Sequence, residues 1–151
     1  MFPFVAEAIR RFNEAGLPVI VITNQSGVGR GFFPESLVGA IHELMIQQLA
    51  ALGAHLEAIY YCPHTSADGC DCRKPKLGML ERAAREHRLD LRRSFVAGDR
   101  YVDIDSLIVP ALGAYWFAQA TEKGSVLGMQ LSGPGSRTLS QRISPEPLNG
   151  F

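Results

Sequence analysis

Cysteine is scarce in this sequence of 151 residues, which contains three copies, all between positions 62 and 72. So few cysteines exclude a fold held together by many disulfides, and clustered cysteines in a reducing cytoplasm more often bind a metal. Neither sign of charge is in excess, because 15 basic residues balance 15 acidic ones. This balance gives no electrostatic reason to expect nucleic acid or an anionic membrane as a partner.

Long apolar runs are also missing. No run approaches the roughly 20 residues that a membrane helix needs. Residues 1–12 lack an apolar stretch behind a basic flank, so we expect no signal peptide. Hydrophobic residues make up 46% of the chain, which is ordinary for a globular domain. We therefore expect a soluble, cytoplasmic protein of unknown oligomeric state.

Short β-branched apolar runs alternate with segments of helical periodicity. We predict strands at residues 18–23, 58–62, 94–98 and 114–118, and helices at 5–15, 34–52, 78–87 and 103–112. This alternation predicts an α/β fold in which helices cover both faces of a parallel sheet. One domain would span residues 1–124, and residues 125–151, rich in Ser, Gly and Pro, would form a loose tail or a weakly patterned docking segment.

Polar residues follow three of the predicted strands. Thr23 and Asn24 end the first, a Cys/His segment follows the second, and Asp99 follows the third. Ligands of parallel α/β sheets bind at the carboxyl ends of the strands. We therefore expect these residues to form one site.

The Cys/His segment has the spacing C-x-H-x5-C-x-C, formed by Cys62, His64, Cys70 and Cys72. Three thiolates and an imidazole complete a tetrahedral Zn²⁺ shell and leave no position for water, so this zinc would be structural. A redox pair is the alternative, but C-x-C is not the C-x-x-C of redox proteins. Chance clustering is the other alternative.

Cations and hydroxyls near these strand ends suit phosphate. Arg73 and Lys74 directly follow the zinc ligands, where a pinned loop would hold them rigidly for electrostatic stabilisation. The Thr23 hydroxyl could bind phosphate oxygens. Asp99 and Asp103 are paired carboxylates suited to Mg²⁺. The structural alternatives are caps and turns for Thr23, Asn24 and Asp99, and a solvated basic patch for the cations.

The segment GVGRG, residues 27–31, resembles a nucleotide loop only superficially, because G-x-G-x-G is not the G-x-G-x-x-G dinucleotide fingerprint. We predict instead a flexible substrate loop in which Arg30 makes the contact.

Taken together, TNQSGVGRG, CPHTSADGCDCRKPK and VAGDRYVD resemble the haloacid dehalogenase superfamily, and in particular its zinc-containing subgroup of heptose-bisphosphate phosphatases and histidinol-phosphatase domains. The resemblance covers residues from about 3 to 124. It implies a Rossmann-like three-layer fold and a Mg²⁺-dependent phosphatase that forms an aspartyl-phosphate. It implies catalytic roles for Thr23, Asn24 and Lys74, substrate contacts for Arg30, Arg73 and Arg100, Mg²⁺ binding by Asp99 and Asp103, and Zn²⁺ binding by the four Cys/His residues.

One departure from the family is large. The family opens with a strand ending in D-x-D-G, whose aspartates are the nucleophile and the general acid/base, and this motif does not occur here. The missing strand would lie between the strands ending at Thr23 and Asp99. Its loss would leave buried edges with unpaired N–H and C=O groups at about 1–3 kcal/mol each. We therefore expect Met1 to be internal to a longer protein, through a misassigned start, a disrupted gene or truncation.

Three functions remain open from the sequence. The first is a phosphatase acting on a sugar phosphate, most like D-glycero-D-manno-heptose 1,7-bisphosphate, with histidinol phosphate as the alternative substrate. The second is a zinc-stabilised module that binds phosphosugars without turnover. The third is a zinc module unconnected with phosphate.

Overall fold

The computed structural model of the chain describes residues 3–98, 114–120 and 126–132. The α-helices are α1 (Pro3–Glu14), α2 (Ser26–Gly29), α3 (Glu35–Ala51) and α4 (Gly78–His87). The strands are β1 (Ile20–Asn24), β2 (Ala58–Cys62), β3 (Phe95–Gly98), β4 (Ala114–Ala120) and β5 (Val126–Ser132). Two 3₁₀ turns are formed by Ser66–Asp68 and Leu91–Arg93. Within these ranges, no helix is long and apolar enough to cross a membrane. The chain divides into two units, residues 1–87 and 88–151.

The first unit is built on a parallel pair, β1 and β2. Their register sets Ile20 beside Ala58 at one end and Asn24 beside Cys62 at the other. Both strands therefore end at the same level, and the segments that follow them leave from neighbouring points.

Side chains of β1 alternate between two cores, as they must in a strand covered on both faces. On one face, Val19 and Val21 pack against a cluster built by α1, α3 and the approach to β2: Ala6, Leu49, Ala54 and Leu56. On the other face, Ile20 and Ile22 pack against a cluster from β2 and α4: Tyr60, Cys62, Met79 and Ala83. This unit thus has helices on both faces of its sheet, which confirms the predicted α/β class.

The second unit contains β3, β4 and β5. The first two pair in parallel, and β5 pairs antiparallel with β4. We predicted a loose tail from residue 125 onward, whereas residues 126–132 form β5. The sheet order of the described strands is β1-β2 in the first unit and β3-β4-β5 in the second. A further strand between β1 and β3 stays a prediction.

The bounds of the other described elements agree closely with those predicted from the sequence, and α2 is a further correction. The strand at 58–62 and the helix at 78–87 match. Gly16, just beyond α1, has a φ of 72°, the left-handed conformation that favours glycine after a helix. The loop predicted at residues 27–31 was wrong in part, because residues 26–29 form α2. The predicted helix at 103–112 lies outside the described residues.

A polar network joins α4 to β2. The buried Tyr60 hydroxyl donates to Glu86 Oε2 at 2.6 Å and lies 3.0 Å from His87 Nε2. Arg82 Nε donates to Glu86 Oε1 at 2.8 Å, and its guanidinium lies over the Tyr60 ring, 5.3 Å from the centroid. The Tyr60 hydrogen bond, followed by that from Arg82, lowers the pKa of Glu86 below its ordinary 4.5. The network therefore fixes α4 against β2, and it includes Glu86, a carboxyl whose pKa is lowered by its partners.

Replacing Leu49 by alanine tests the first core. Leu49 is 2% exposed, so Leu49→Ala should lower the free energy of unfolding by about 2–5 kcal/mol, measured in urea by far-UV circular dichroism. Leu44, on the same helix but 54% exposed, is the matched control, and Leu44→Ala should stay within about 0.5 kcal/mol of the parent. Equal losses in both variants would contradict the assignment of this core.

Glu86 should contribute to acid sensitivity. A carboxyl whose pKa is lowered by folding stabilises the fold above its unfolded pKa, and that stabilisation disappears as the pH falls through the folded value. We therefore expect Glu86→Gln to flatten the decline of the urea midpoint below about pH 4.5. Glu81→Gln, which changes an exposed carboxylate on the same helix, is the control. Parallel pH profiles for Glu86→Gln and the parent would contradict the expectation.

Candidate metal centre and phosphate site

The four predicted metal ligands lie together. Cys62 ends β2, His64 follows it, and Cys70 and Cys72 return from the 3₁₀ turn. Their ligand atoms all lie within 4.8 Å of one another. Cys72 Sγ is 3.1 Å from Cys62 Sγ, 3.5 Å from Cys70 Sγ and 3.3 Å from His64 Nδ1.

These separations are near those of a tetrahedral shell, but shorter. A Zn–S bond of about 2.3 Å implies S···S edges of roughly 3.8 Å, and the three S···S distances are 3.1, 3.5 and 3.6 Å. All three cysteines are free thiols, which argues against a disulfide. The donor set of three sulfurs and one imidazole nitrogen suits Zn²⁺ better than Mg²⁺ or Ca²⁺.

The thiols differ in acidity because they are crowded. Burial raises the pKa of Cys72, and hydrogen bonds with Cys62 and Cys70 raise it further, to about 12. Burial opposes ionisation of Cys70 as well, but hydrogen bonds from Cys72, the Arg73 backbone and Cys62 outweigh it and lower its pKa to about 7. Three thiolates at this spacing repel one another, so the cluster needs a cation for all of its sulfurs to ionise.

Several contacts brace the ligand loop. Asp68 accepts from the backbone N–H of Thr65 at 2.6 Å and from its hydroxyl at 2.9 Å, which closes a capping box. Lys76 Nζ donates to Gly69 O at 2.9 Å. Arg73 Nη1 donates to His64 O at 3.1 Å. Side-chain hydrogen bonds of Asp68, Arg73 and Lys76 thus hold the loop, in addition to the clustering of its four Cys/His side chains.

Lys74 lies against β1. Its Nζ donates to Ile22 O at 2.9 Å, and its backbone N–H donates to Asn24 Oδ1 at 3.0 Å. Asn24 Nδ2 in turn donates to Lys74 O at 3.1 Å. The structure therefore brings the segment after the cysteines to the end of the strand that carries Thr23.

Gln25 belongs to this group, although sequence reasoning missed it. Its Nε2 donates to Thr23 Oγ1 at 3.1 Å, and its backbone N–H donates to Cys62 O at 2.7 Å. Because the Thr23 oxygen accepts from Gln25, its own hydrogen is directed to another acceptor. The signal available in the sequence was the run of polar residues immediately after Thr23.

Two of the three glycines of GVGRG, Gly27 and Gly29, serve close packing. Gly29 N–H donates to Pro63 O at 2.9 Å, and a Cβ at Gly29 would meet that oxygen at 2.8 Å. A Cβ at Gly27 would meet the Phe33 ring at 2.3 Å. The segment carrying Arg30 is therefore packed on the cysteine loop, which accounts for two glycines without a nucleotide. Arg30, at the carboxyl end of α2, is exposed.

The predicted site residues divide into two groups. The structure joins Asn24 and Lys74 directly, joins Thr23 to Gln25, and sets Asn24 beside Cys62 of the Cys/His cluster in the strand register. Arg73 binds the ligand loop and stays a predicted substrate contact. Asp99, Arg100 and Asp103 lie outside the described residues, so their predicted roles stay predictions.

Solved structures define the class of protein. A crystal structure of D,D-heptose 1.7-bisphosphate phosphatase from B. bronchiseptica, complexed with magnesium and phosphate, is similar at a TM-score of 0.71 and 39% identity, over 77% of this chain and 64% of that one. A HAD-like phosphatase from Mesorhizobium loti gives 0.67 and 32%, over 78% of this chain and 59% of that one. The fold is that of haloacid dehalogenase-like phosphatases, which confirms the resemblance drawn from the sequence.

Sequence comparison gives the family. Residues 1–103 match the family model described as Polynucleotide kinase 3 phosphatase, and the chain belongs to this family. The D-glycero-beta-D-manno-heptose-1,7-bisphosphate 7-phosphatase of Pseudomonas aeruginosa is 40% identical over 104 residues, 69% of this chain and 58% of the relative. The Bordetella bronchiseptica enzyme of the same name is 35% identical over 144 residues, 95% of this chain and 73% of the relative.

This chain is shorter than the proteins it resembles. It spans 58% of the length of the Pseudomonas aeruginosa enzyme and 73% of the Bordetella bronchiseptica enzyme. It spans 64% and 59% of the two solved chains.

Removing one ligand tests the metal centre. We expect the chain to bind one Zn²⁺, or Co²⁺ with the visible absorption of a tetrahedral thiolate site, and His64→Ala to weaken binding on the order of 100-fold. His55, whose side chain is 73% exposed and outside the cluster, is the control, and His55→Ala should bind as the parent does. Undiminished Co²⁺ absorption and affinity in His64→Ala would show that His64 is not a ligand.

Proposed function

We propose that the chain is part of a Mg²⁺-dependent phosphoric monoester hydrolase acting on a phosphorylated sugar, most like D-glycero-D-manno-heptose 1,7-bisphosphate. The observation that carries the proposal is the meeting of Lys74 with the end of β1, beside Thr23 and the Cys/His cluster. The heptose-bisphosphate names of the relatives support the substrate class.

The proposed roles follow from the chemistry of each group. The Lys74 ammonium would balance negative charge on the phosphoryl group, which is most valuable where that charge is greatest, in the transition state. The Thr23 hydroxyl, whose oxygen accepts from Gln25, would donate to a phosphate oxygen. Arg30 and Arg73 would contact the rest of the substrate.

Metals would have two separate roles. Zn²⁺ held by the four Cys/His ligands would be structural, because these residues fill its coordination shell. Mg²⁺ would be held by Asp99 and Asp103, and when bound it would neutralise phosphate oxygens. The magnesium and phosphate in the B. bronchiseptica crystal structure support this assignment by similarity.

The covalent step needs a carboxylate nucleophile. The family supplies it from D-x-D-G, and the 151 residues contain one Asp-x-Asp pair, Asp103-Ile104-Asp105, which falls at the family's magnesium motif. This observation favours a second candidate, a zinc-stabilised module that binds phosphosugars without hydrolysing them. Turnover of a sugar bisphosphate by the purified 151-residue chain, at rates typical of phosphatases, would exclude that candidate.

Lys74→Ala tests the phosphate site that both candidates share. We expect the variant to bind inorganic phosphate, in the presence of Mg²⁺, at least about tenfold more weakly by isothermal titration calorimetry, because a charge-assisted contact is lost. Arg85→Ala removes the same charge from an exposed position on α4 and should change the affinity less than about twofold. An equal loss of phosphate affinity in both variants would mean that the affinity depends only on the net charge of the chain, and it would contradict a specific contact with Lys74.

A further inference from the structure

The side-chain amide of Asn24 joins β1 to the segment that follows the last cysteine. Its Oδ1 accepts from the backbone N–H of Lys74 at 3.0 Å, and its Nδ2 donates to the carbonyl of the same residue at 3.1 Å. Both contacts are partly buried and link residues 50 positions apart. One side chain therefore satisfies both main-chain polar groups of Lys74.

We propose that Asn24 is a positioning residue that sets the place of Lys74 in the phosphate site, an inference that rests on the proposed function. The resemblance grouped Asn24 with the catalytic residues. Its amide is instead committed to the backbone of Lys74, so Asn24 acts on phosphate through the lysine.

The Lys74 side chain returns to the same strand. Its ammonium donates to Ile22 O at 2.9 Å, two residues before Asn24. Asn24 thus holds the backbone of Lys74 at the end of β1. The Lys74 ammonium is held two residues earlier on the same strand, by the carbonyl of Ile22. An ammonium on a four-carbon stem has many rotamers, and anchoring both ends of the residue restricts them.

The metal centre cannot do this alone. Cys72 ties the chain to the cluster two residues before Lys74, and the rotatable bonds between them leave the lysine several possible positions. Asn24 supplies a second point of attachment, through its two hydrogen bonds to the backbone of Lys74. With two anchors, the ammonium occupies one place, as electrostatic stabilisation of a phosphoryl group requires.

The competing interpretation is that the Asn24 hydrogen bonds stabilise the fold and have no effect on phosphate binding. The chain contains a second asparagine with the same kind of hydrogen bonds, which allows a comparison. Asn13 Nδ2 donates to His55 O at 3.2 Å, and His55 N–H donates to Asn13 Oδ1 at 2.8 Å. This is the same two-bond pairing of an asparagine amide with a distant backbone, but it joins the end of α1 to the approach to β2. Asn13→Ala therefore removes the same kind of contact away from the site.

The experiment compares five forms of the full chain: parent, Asn24→Ala, Asn13→Ala, Lys74→Ala and the double variant Asn24→Ala/Lys74→Ala. Affinity for inorganic phosphate with Mg²⁺ is measured by calorimetry, the urea midpoint reports stability, and Co²⁺ absorption reports the metal centre. We expect Asn24→Ala to weaken phosphate binding about tenfold and Asn13→Ala less than twofold, with unchanged Co²⁺ spectra in both.

The double variant separates positioning from direct contact. If Asn24 acts through Lys74, removing it from Lys74→Ala should cost no further affinity, so the two effects are strongly non-additive. Additive losses would overturn the proposal, because Asn24 would then act on phosphate independently of Lys74.

Failure of this inference is distinguishable from failure of the proposed function. If Lys74→Ala weakens phosphate binding but Asn24→Ala does not, the positioning role is wrong and the phosphate site stands. If Asn24→Ala and Asn13→Ala weaken binding equally, Asn24 only stabilises the fold, as Asn13 does, and the proposal is overturned. If Lys74→Ala leaves the affinity unchanged, the phosphate site itself is wrong and the positioning role is lost with it.

Discussion

Asn24 and Cys62 end neighbouring parallel strands as register partners, and both parts of the site start from this pair. Cys62 opens the metal loop, and Asn24 binds the backbone of the residue at which that loop finishes. A parallel register is set by which side chains face each core, and a slip by one residue would turn Ile20 and Ile22 away from the α4 face. The hydrophobic cores therefore fix the register, and the register brings the ligand loop back to β1.

The glycine-rich segment shows how tightly these loops meet. Gly29 approaches Pro63 O so closely that no side chain fits, and at the start of α4 a Cβ on Gly78 would meet Asp71 O at 2.5 Å. The ligand loop is thus in backbone contact with the segment carrying Arg30 on one side and with a helix on the other. These contacts explain why a loop rich in polar groups can hold one conformation.

The sequence predicted what depends on local spacing and composition. The C-x-H-x5-C-x-C pattern sufficed to predict that four Cys/His side chains meet, and β-branched runs such as 58–62 sufficed to predict strands. It did not predict α2, because a helix of four residues is too short to show periodicity. Nor did it predict β5, because the Gly and Ser residues around 126–132 resembled a linker, and only pairing with β4 makes the segment a strand. The contacts of Asn24 join it to Lys74, 50 positions away, and no local pattern contains them.

Cys62 belongs at once to a strand end, to the α4 core, where it is 0% exposed, and to the metal cluster. Any event that disturbs the metal also disturbs the packing of Tyr60, Met79 and Ala83 around it. With Zn²⁺ in the cluster as proposed, metal starvation of a cell would shorten the lifetime of this protein. A chain without the ion would open this core to proteases, so the abundance of the protein would follow the metal supply.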